Sequence, residues 1–315
     1  MTPTLSDIRQ AAERIRPYAH RTPVMTNASL NQQVGAQVFL KCENLQKVGA
    51  FKFRGACNAV FSLTDAEAAR GVATHSSGNH AQAVALAAHL RGIPAYIVMP
   101  ENAPAVKKAA VAGYGGRITF CEPTLQARET TTAQIVKETG ATVVHPYNDV
   151  RVIAGQGTAA LELLEEVADL DVIIAPVGGG GLLSGTAIAA KGLSPNMRVI
   201  GAEPEMADDA YRSLQAGHII PSENPKTIAD GLLTSLGDKT FPIIQQHVEQ
   251  IVTASEAGIL AAMRFVWERA KIVIEPSAAV PVALLWERKI DLGGLRVGII
   301  LSGGNVDLER LPWQK

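Results

Sequence analysis

The sequence predicts an α/β fold of two lobes, built from mostly parallel open sheets covered by helices. Short apolar runs rich in β-branched residues alternate with helix-length segments nearly from end to end, the order that parallel sheets require. The chain has 315 residues, 47% of them hydrophobic, enough for a large core and better suited to two lobes than one. A regular block of four strand–helix units, from about 72 to 145, stands apart from its flanks.

Residues 1–20 carry an amphipathic helix pattern with acids and bases mixed, and lack the apolar run of a secretory signal. Strands are predicted over 38–42, 72–75, 95–99, 117–121, 142–145, 172–177, 199–202, 250–253 and 297–301. Helices are predicted over 81–90, 103–112, 125–139, 157–167 and 182–192. The least regular stretch, 217–240, reads as a loop near a cleft. Residues 71–147 are expected to form a small domain, and residues 1–70 with 148–315 a large one. A formal net charge of -1 gives no electrostatic reason to expect nucleic acid or an anionic membrane. No apolar run is long enough to span a bilayer. Cys42, Cys57 and Cys121 form neither a CxxC pair nor a disulfide framework, which suits a reducing cytoplasm.

Five constellations carry chemistry. Lys52 sits in Gly49-Ala50-Phe51-Lys52-Phe53-Arg54-Gly55-Ala56, where loss of water disfavours its charged form and leaves a nucleophilic amine. On this segment alone, a surface lysine whose stem covers apolar neighbours is the simpler reading. The run Pro176-Val177-Gly178-Gly179-Gly180-Gly181-Leu182 lies between a strand and a helix, so backbone N–H groups converge on an anion. It lacks the Gly-Lys-Ser/Thr of a Walker loop and the strict dinucleotide spacing. His75-Ser76-Ser77-Gly78-Asn79-His80 also joins a strand to a helix and suits a carboxylate ligand, or equally an ordinary N-cap. Ser302 ends a buried strand, where it faces a ligand crevice or simply turns the chain with Gly303 and Gly304. Glu203, Asp208 and Asp209 suit a divalent cation, but a solvated acidic loop is the simpler reading of their sequence.

An amine for an aldehyde, an anion cup for a phosphate and a hydroxyl for a ring nitrogen are together what pyridoxal 5′-phosphate needs. At these residues the chain resembles the fold-type-II pyridoxal-phosphate enzymes, in the serine racemase, threonine (serine) dehydratase and threo-3-hydroxyaspartate dehydratase group. The resemblance runs through GAFKFRGA, THSSGNH, IPAYIVMP, HPYND, IAGQGT, PVGGGGLLSG, AEPEMADDAY, ADGL, VWER, IEPSAA and LSGGNVD, almost end to end. It implies a tryptophan-synthase-β-like fold, with 71–147 as a small mobile domain and 1–70 with 148–315 as the large cofactor-binding domain. Lys52 then resembles the lysine that carries the cofactor and takes the α-proton. Phe51 resembles the aromatic residue beside the ring, Gly178 to Gly181 with Leu182 the phosphate cup, Asn79 the partner of the phenolic oxygen, and Ser302 the partner of the pyridine nitrogen. Ser76, Ser77, Gly78, Asn79 and His80 resemble the substrate-carboxylate loop. Ser77 resembles the acid/base on the face opposite Lys52, the residue that racemisation would need. Glu203, the Ala207 carbonyl and Asp209 resemble a Mg²⁺ (or Ca²⁺ or Mn²⁺) site.

Two departures stand out. Tyr147 follows His145-Pro146 where animal racemases have asparagine, and Val48 and Ala50 replace small hydroxyl-bearing residues. The first weighs against nucleotide activation, although Lys47 matches a position near that nucleotide site. Arg128-Glu129 resembles a polar pair at the lobe entrance and suits an acidic substrate side chain, with a helical surface pair slightly preferred. The expected activity is dehydration of L-serine, L-threonine or threo-3-hydroxyaspartate to a 2-oxo acid and ammonia, by a cytoplasmic homodimer, with serine racemisation as a side activity. The alternatives are a primary serine or aspartate racemase, a β-replacement enzyme and, more distantly, a non-catalytic phosphate-binding protein.

Overall fold

Among the described residues of a computed structural model (2–76, 78–103 and 105–314), ten strands form two sheets. The larger sheet contains β1 (Val24–Thr26), β2 (Gln37–Cys42), β7 (Val172–Pro176), β8 (Arg198–Pro204), β9 (Gln250–Ala254) and β10 (Arg296–Leu301). Its order is β1-β2-β10-β7-β8-β9, with β1 antiparallel to β2 and every other pairing parallel. The smaller sheet, in the order β5-β4-β3-β6, is all parallel and contains β3 (Val72–His75), β4 (Ala95–Pro100), β5 (Arg117–Cys121) and β6 (Thr142–Val143).

The central strands of the larger sheet are apolar along their length because helices cover both faces. In β7, Val172 and Ile174 join the core under helices Glu256–Phe265 and Pro276–Trp286. Ile173 and Ala175 point the other way, into the core beneath helices Val150–Glu166 and Gly181–Leu193. The small sheet has its own core with helix Asn79–Arg91, and Phe53, Ala56, Cys57 and Val60 of helix Lys52–Phe61 are part of it. The lysine helix therefore lies at the seam of the two lobes.

Glycines on helix Val150–Glu166 set the spacing at that seam. A Cβ on Gly155 would stand 2.6 Å from the Arg54 carbonyl oxygen and from the Gly55 Cα. One on Gly157 would stand 2.8 Å from the Gly185 carbonyl oxygen. Hydrogen atoms at both positions let this one helix touch the lysine helix and the glycine-cup helix at backbone distance. The contact is reinforced by an ion cluster. Arg54, fully buried, bonds Glu43 at 2.7 Å and Glu162 at 2.7 Å, and Lys41 bonds Glu162 at 2.7 Å.

The nine predicted strands are present, β3 and β5 with the expected ends. Strand β1 is additional. Helix Val150–Glu166 begins at its Asp149 cap, seven residues before the expected start at 157, because Gly155 and Gly157 serve helix contact and do not break the helix. The expected strand over 142–145 ends at Val143, where the chain leaves the sheet for the site. Residues 217–240 are irregular apart from the short turn Asp230–Leu232.

Candidate active site

Lys52 opens helix Lys52–Phe61, and the loop before it is laced to the C-terminal end of β10. Phe51 N–H donates to the Ser302 carbonyl at 3.0 Å, Gly304 N–H donates to the Gly49 carbonyl at 2.9 Å, and Ala50 bridges Gly303. Val48 takes the left-handed φ of 56° and is held there by Asn305 Nδ2, which donates to its carbonyl at 2.7 Å. A β-branched residue in that region stores roughly 1–3 kcal/mol of strain. The Lys52 amine donates to the Pro146 carbonyl at 2.9 Å, with the Phe51 ring centroid 5.2 Å away. Enclosure lowers its pKa to about 8, against the opposing pull of the Glu275 carboxylate. His145, pushed down to about 4 by burial and by neighbouring His75 and Lys52, stays neutral beside it.

Gly178 to Gly181 leave the end of β7 and open helix Gly181–Leu193. Gly180, at φ 87°, has the left-handed conformation that glycine adopts without a Cβ penalty. Among the described residues, no acceptor takes the N–H of Gly178, Gly179 or Gly180. The loop is walled on its other side. A Cβ on Gly179 would run into the Tyr147 ring, one on Gly181 would come within 2.9 Å of the Tyr147 Cβ, and one on Gly178 would come within 3.0 Å of the Leu232 Cα. Thr240 Oγ1 donates to the Gly179 carbonyl at 2.8 Å. Free N–H groups at a helix N-terminus form an anion site, and the walls leave no room for side chains.

Asn79 begins helix Asn79–Arg91 and reaches across to the larger lobe. Its Nδ2 donates to both Glu275 oxygens at 3.1 Å, and its Oδ1 accepts from Asn305 Nδ2 at 2.9 Å. Ser302 is buried at the end of β10. Ser76 Oγ accepts from Gly78 N–H at 3.3 Å, and the space beside Gly78 is open. Ser77 lies outside the described residues. His80 bonds the Val144 carbonyl through Nε2 at 2.9 Å, and burial keeps its ring neutral. Arg128 is half-buried, bonds the Thr124 carbonyl of its own helix cap at 3.3 Å, and its charge is felt at His75 and Tyr147. The structure thus ties Phe51, Lys52, Asn79 and Ser302 to one another through the bonds of the Lys52 loop, and sets the glycine cup against Tyr147, next in the chain to the Pro146 carbonyl that Lys52 bonds.

Three participants had no sequence signal of their own. Glu275 and Asn305 lie in the quoted runs IEPSAA and LSGGNVD, but Glu275 before Pro276 reads as a helix cap. The Pro146 carbonyl is a backbone atom and leaves no residue signature.

The acidic cluster resolves unevenly. Asp208 pairs with Arg212 at 2.8 Å and leaves the site. Glu203 accepts from Ala210 N–H at 2.8 Å and Tyr211 N–H at 2.7 Å, and burial raises its pKa to about 9. Burial also raises Asp209 to about 6, and neither of its buried carboxylate oxygens has a hydrogen-bond partner. A divalent cation fits this unbalanced pair. Among the described residues no three His, Cys, Asp or Glu side chains gather for a metal, so a cation here would need a backbone carbonyl and water as further ligands.

An amine with a lowered pKa, a cup of free N–H groups and a buried hydroxyl at a strand end fit pyridoxal phosphate. The family model of the pyridoxal-phosphate dependent enzymes matches residues 15–303. The chain is 56% identical to the beta-hydroxyaspartate dehydratase of Paracoccus denitrificans over 99% of both chains. It is 50% identical to the L-threo-3-hydroxyaspartate ammonia-lyase of Saccharomyces cerevisiae, over 98% of this chain and 95% of that one. The crystal structure of the serine racemase from Dictyostelium discoideum superposes with a TM-score of 0.95 at 52% identity, covering 98% of this chain and 100% of that one. The chain therefore belongs to the pyridoxal-phosphate dependent enzymes, with the type II fold of the serine racemases and dehydratases.

Proposed function

We propose that the protein dehydrates a β-hydroxy amino acid, 3-hydroxyaspartate before serine or threonine, to a 2-oxo acid and ammonia. The Lys52 amine carries this reading, because it is enclosed, has a lowered pKa and bonds the carbonyl of Pro146, the chain neighbour of the Tyr147 that walls the anion cup. When bound, pyridoxal phosphate supplies the electron sink that acidifies the α-carbon of an attached amino acid. Gly178 to Gly181 and Leu182 would hold its phosphate, Asn79 its phenolic oxygen, Ser302 its ring nitrogen and Phe51 its edge. Lys52, near its own pKa at neutral pH, takes the α-proton. Loss of the β-hydroxyl follows, and water completes the release of the 2-oxo acid and ammonia. Ser76, Gly78, Asn79 and His80 lie at the start of the helix that would receive the substrate carboxylate. Arg128 places a positive charge toward His75 and Tyr147, which supports an acidic side chain on the substrate, as in the relative 56% identical.

Serine racemisation is a second reading, supported by the 52% identity to a serine racemase, and it assigns Ser77 the opposite-face proton. Glu203, Asp209 and the Ala207 carbonyl are proposed to hold Mg²⁺. Residues 71–147 are proposed to move as the small domain against 1–70 and 148–315. A homodimer is proposed across the exposed Leu45 and Val273, which the bond from Asn44 Nδ2 to the Val273 carbonyl brings together. Among the described residues no helix is long and apolar enough to cross a membrane. All three cysteines are unpaired, which supports a reducing cytoplasm.

Borohydride reduction of the holoenzyme followed by peptide mapping tests the reading: the cofactor is expected on Lys52. Lys52→Ala is expected to abolish turnover of 3-hydroxyaspartate. Label on another lysine, or turnover retained by the variant, would overturn it.

A further inference from the structure

Glu275 is a buried carboxylate at the centre of the site, and none of the steps above uses it. It caps helix Pro276–Trp286, and its own N–H donates to the Gly303 carbonyl at 3.0 Å. Its carboxylate lies against Gly303, where a Cβ would come within 2.6 Å of Oε1. Asn305 N–H donates to Oε2 at 3.3 Å. Among the described residues no arginine, lysine or histidine bonds it. Its hydrogen-bond donors are amides alone.

Those amides form a directed chain. A backbone carbonyl can only accept, so Val48 requires the NH₂ of Asn305 to face it. The same NH₂ faces Asn79, which must answer with Oδ1. The Nδ2 of Asn79 is thereby turned to Glu275, a pure acceptor when ionised. The equal distances of 3.1 Å put Nδ2 on the bisector of the carboxylate, a geometry that one N–H satisfies. The second N–H of Asn79 is left for a ligand.

We propose that Glu275 is the positioning residue of Asn79: it fixes the amide so that one N–H is always presented to the cofactor's phenolic oxygen, and in doing so registers the small lobe on the large one. Asn79 belongs to the helix that follows β3, whereas Glu275 and Asn305 belong to the body of the larger lobe. The triad is thus a polar junction between lobes at the cofactor itself. The inference rests on the pyridoxal-phosphate reading of the site.

Burial pushes Glu275 up to about 7, so above that pH Glu275→Gln keeps the volume, removes the charge and introduces an NH₂ that opposes the one on Asn79. Pyridoxal phosphate titrated into the apoprotein is expected to bind this variant roughly 10- to 100-fold more weakly, the worth of one charge-assisted hydrogen bond. The visible band of the bound cofactor is expected to shift, while the thermal midpoint of the apoprotein moves by only a few degrees. Wild-type affinity and an unshifted band would overturn the proposal. If Glu275→Gln folds poorly, Asn305→Ala decides. It leaves the carboxylate in place and frees the Asn79 amide, so a shifted band supports the chain and a wild-type band refutes it. Failure of borohydride to fix the cofactor on Lys52 of the wild-type protein would instead overturn the proposed function.

Discussion

Lys52→Met removes the one amine of the site and keeps its unbranched stem. In the cofactor-free protein the Lys52 pKa lies near 8, against 10.5 for an ordinary lysine. That depression of about 2.5 units corresponds to about 3.4 kcal/mol, reduced to about 2–3 kcal/mol because the side chain is only half-buried. Below pH 8 both folded and unfolded chains carry the proton, so the folded state bears the whole cost of enclosing a charge. Between pH 8 and 10.5 the folded chain has released the proton and the unfolded chain has not. Unfolding then takes up a proton, and stability rises with pH across that window. Urea unfolding of apoprotein and Lys52→Met apoprotein, from pH 7 to 10, isolates the effect as a difference. The variant is expected to be more stable by about 2–3 kcal/mol at pH 7, with most of that advantage gone by pH 10. His80 and His145 feel the Lys52 charge, but burial keeps both neutral across this window in either protein, so neither adds to the slope. A difference that stays constant with pH would refute the assignment of a desolvated amine.

Gly179→Ala drives a methyl into the Tyr147 ring and is expected to weaken pyridoxal-phosphate binding about 10- to 100-fold in a fluorescence titration, with partial recovery in the double variant with Tyr147→Ala. Mg²⁺ is expected to raise the thermal midpoint of the wild type, and Asp209→Asn to abolish that rise and to make the protein indifferent to chelator. Arg54→Met leaves Glu43 buried without a counter-charge and Glu162 with Lys41 alone, and is expected to cost about 3–5 kcal/mol by urea unfolding.

The parts legible in the sequence were those whose cause is local. A strand buried on both faces is apolar throughout, so β7 and β10 were visible. A glycine run between strand and helix has few uses, so the cup was visible too. The three-residue β1 is too short for its pattern to show and exists by pairing with β2. Gly155 and Gly157 carry the same letters as helix breakers, and only the two helices that press on them reveal their purpose. Glu275 was hidden because its partners lie far from it along the chain. Its bonds to Asn79 span 196 positions, a separation that no window along a single sequence reports.

The strand order also bears on how the protein is made. Strand β10, last of the ten along the chain, lies between β2 and β7, which are among those synthesised much earlier. On the ribosome the small sheet, whose strands span only 72–143, has all its members in hand while the larger sheet still has an empty slot at its middle. The loop of Lys52 is laced to the end of that missing strand, so neither the reactive amine nor the hydroxyl of Ser302 is in place until β10 slots in. A nascent chain cannot capture its cofactor piecemeal, and loading is deferred to the moment when the central gap of the sheet closes.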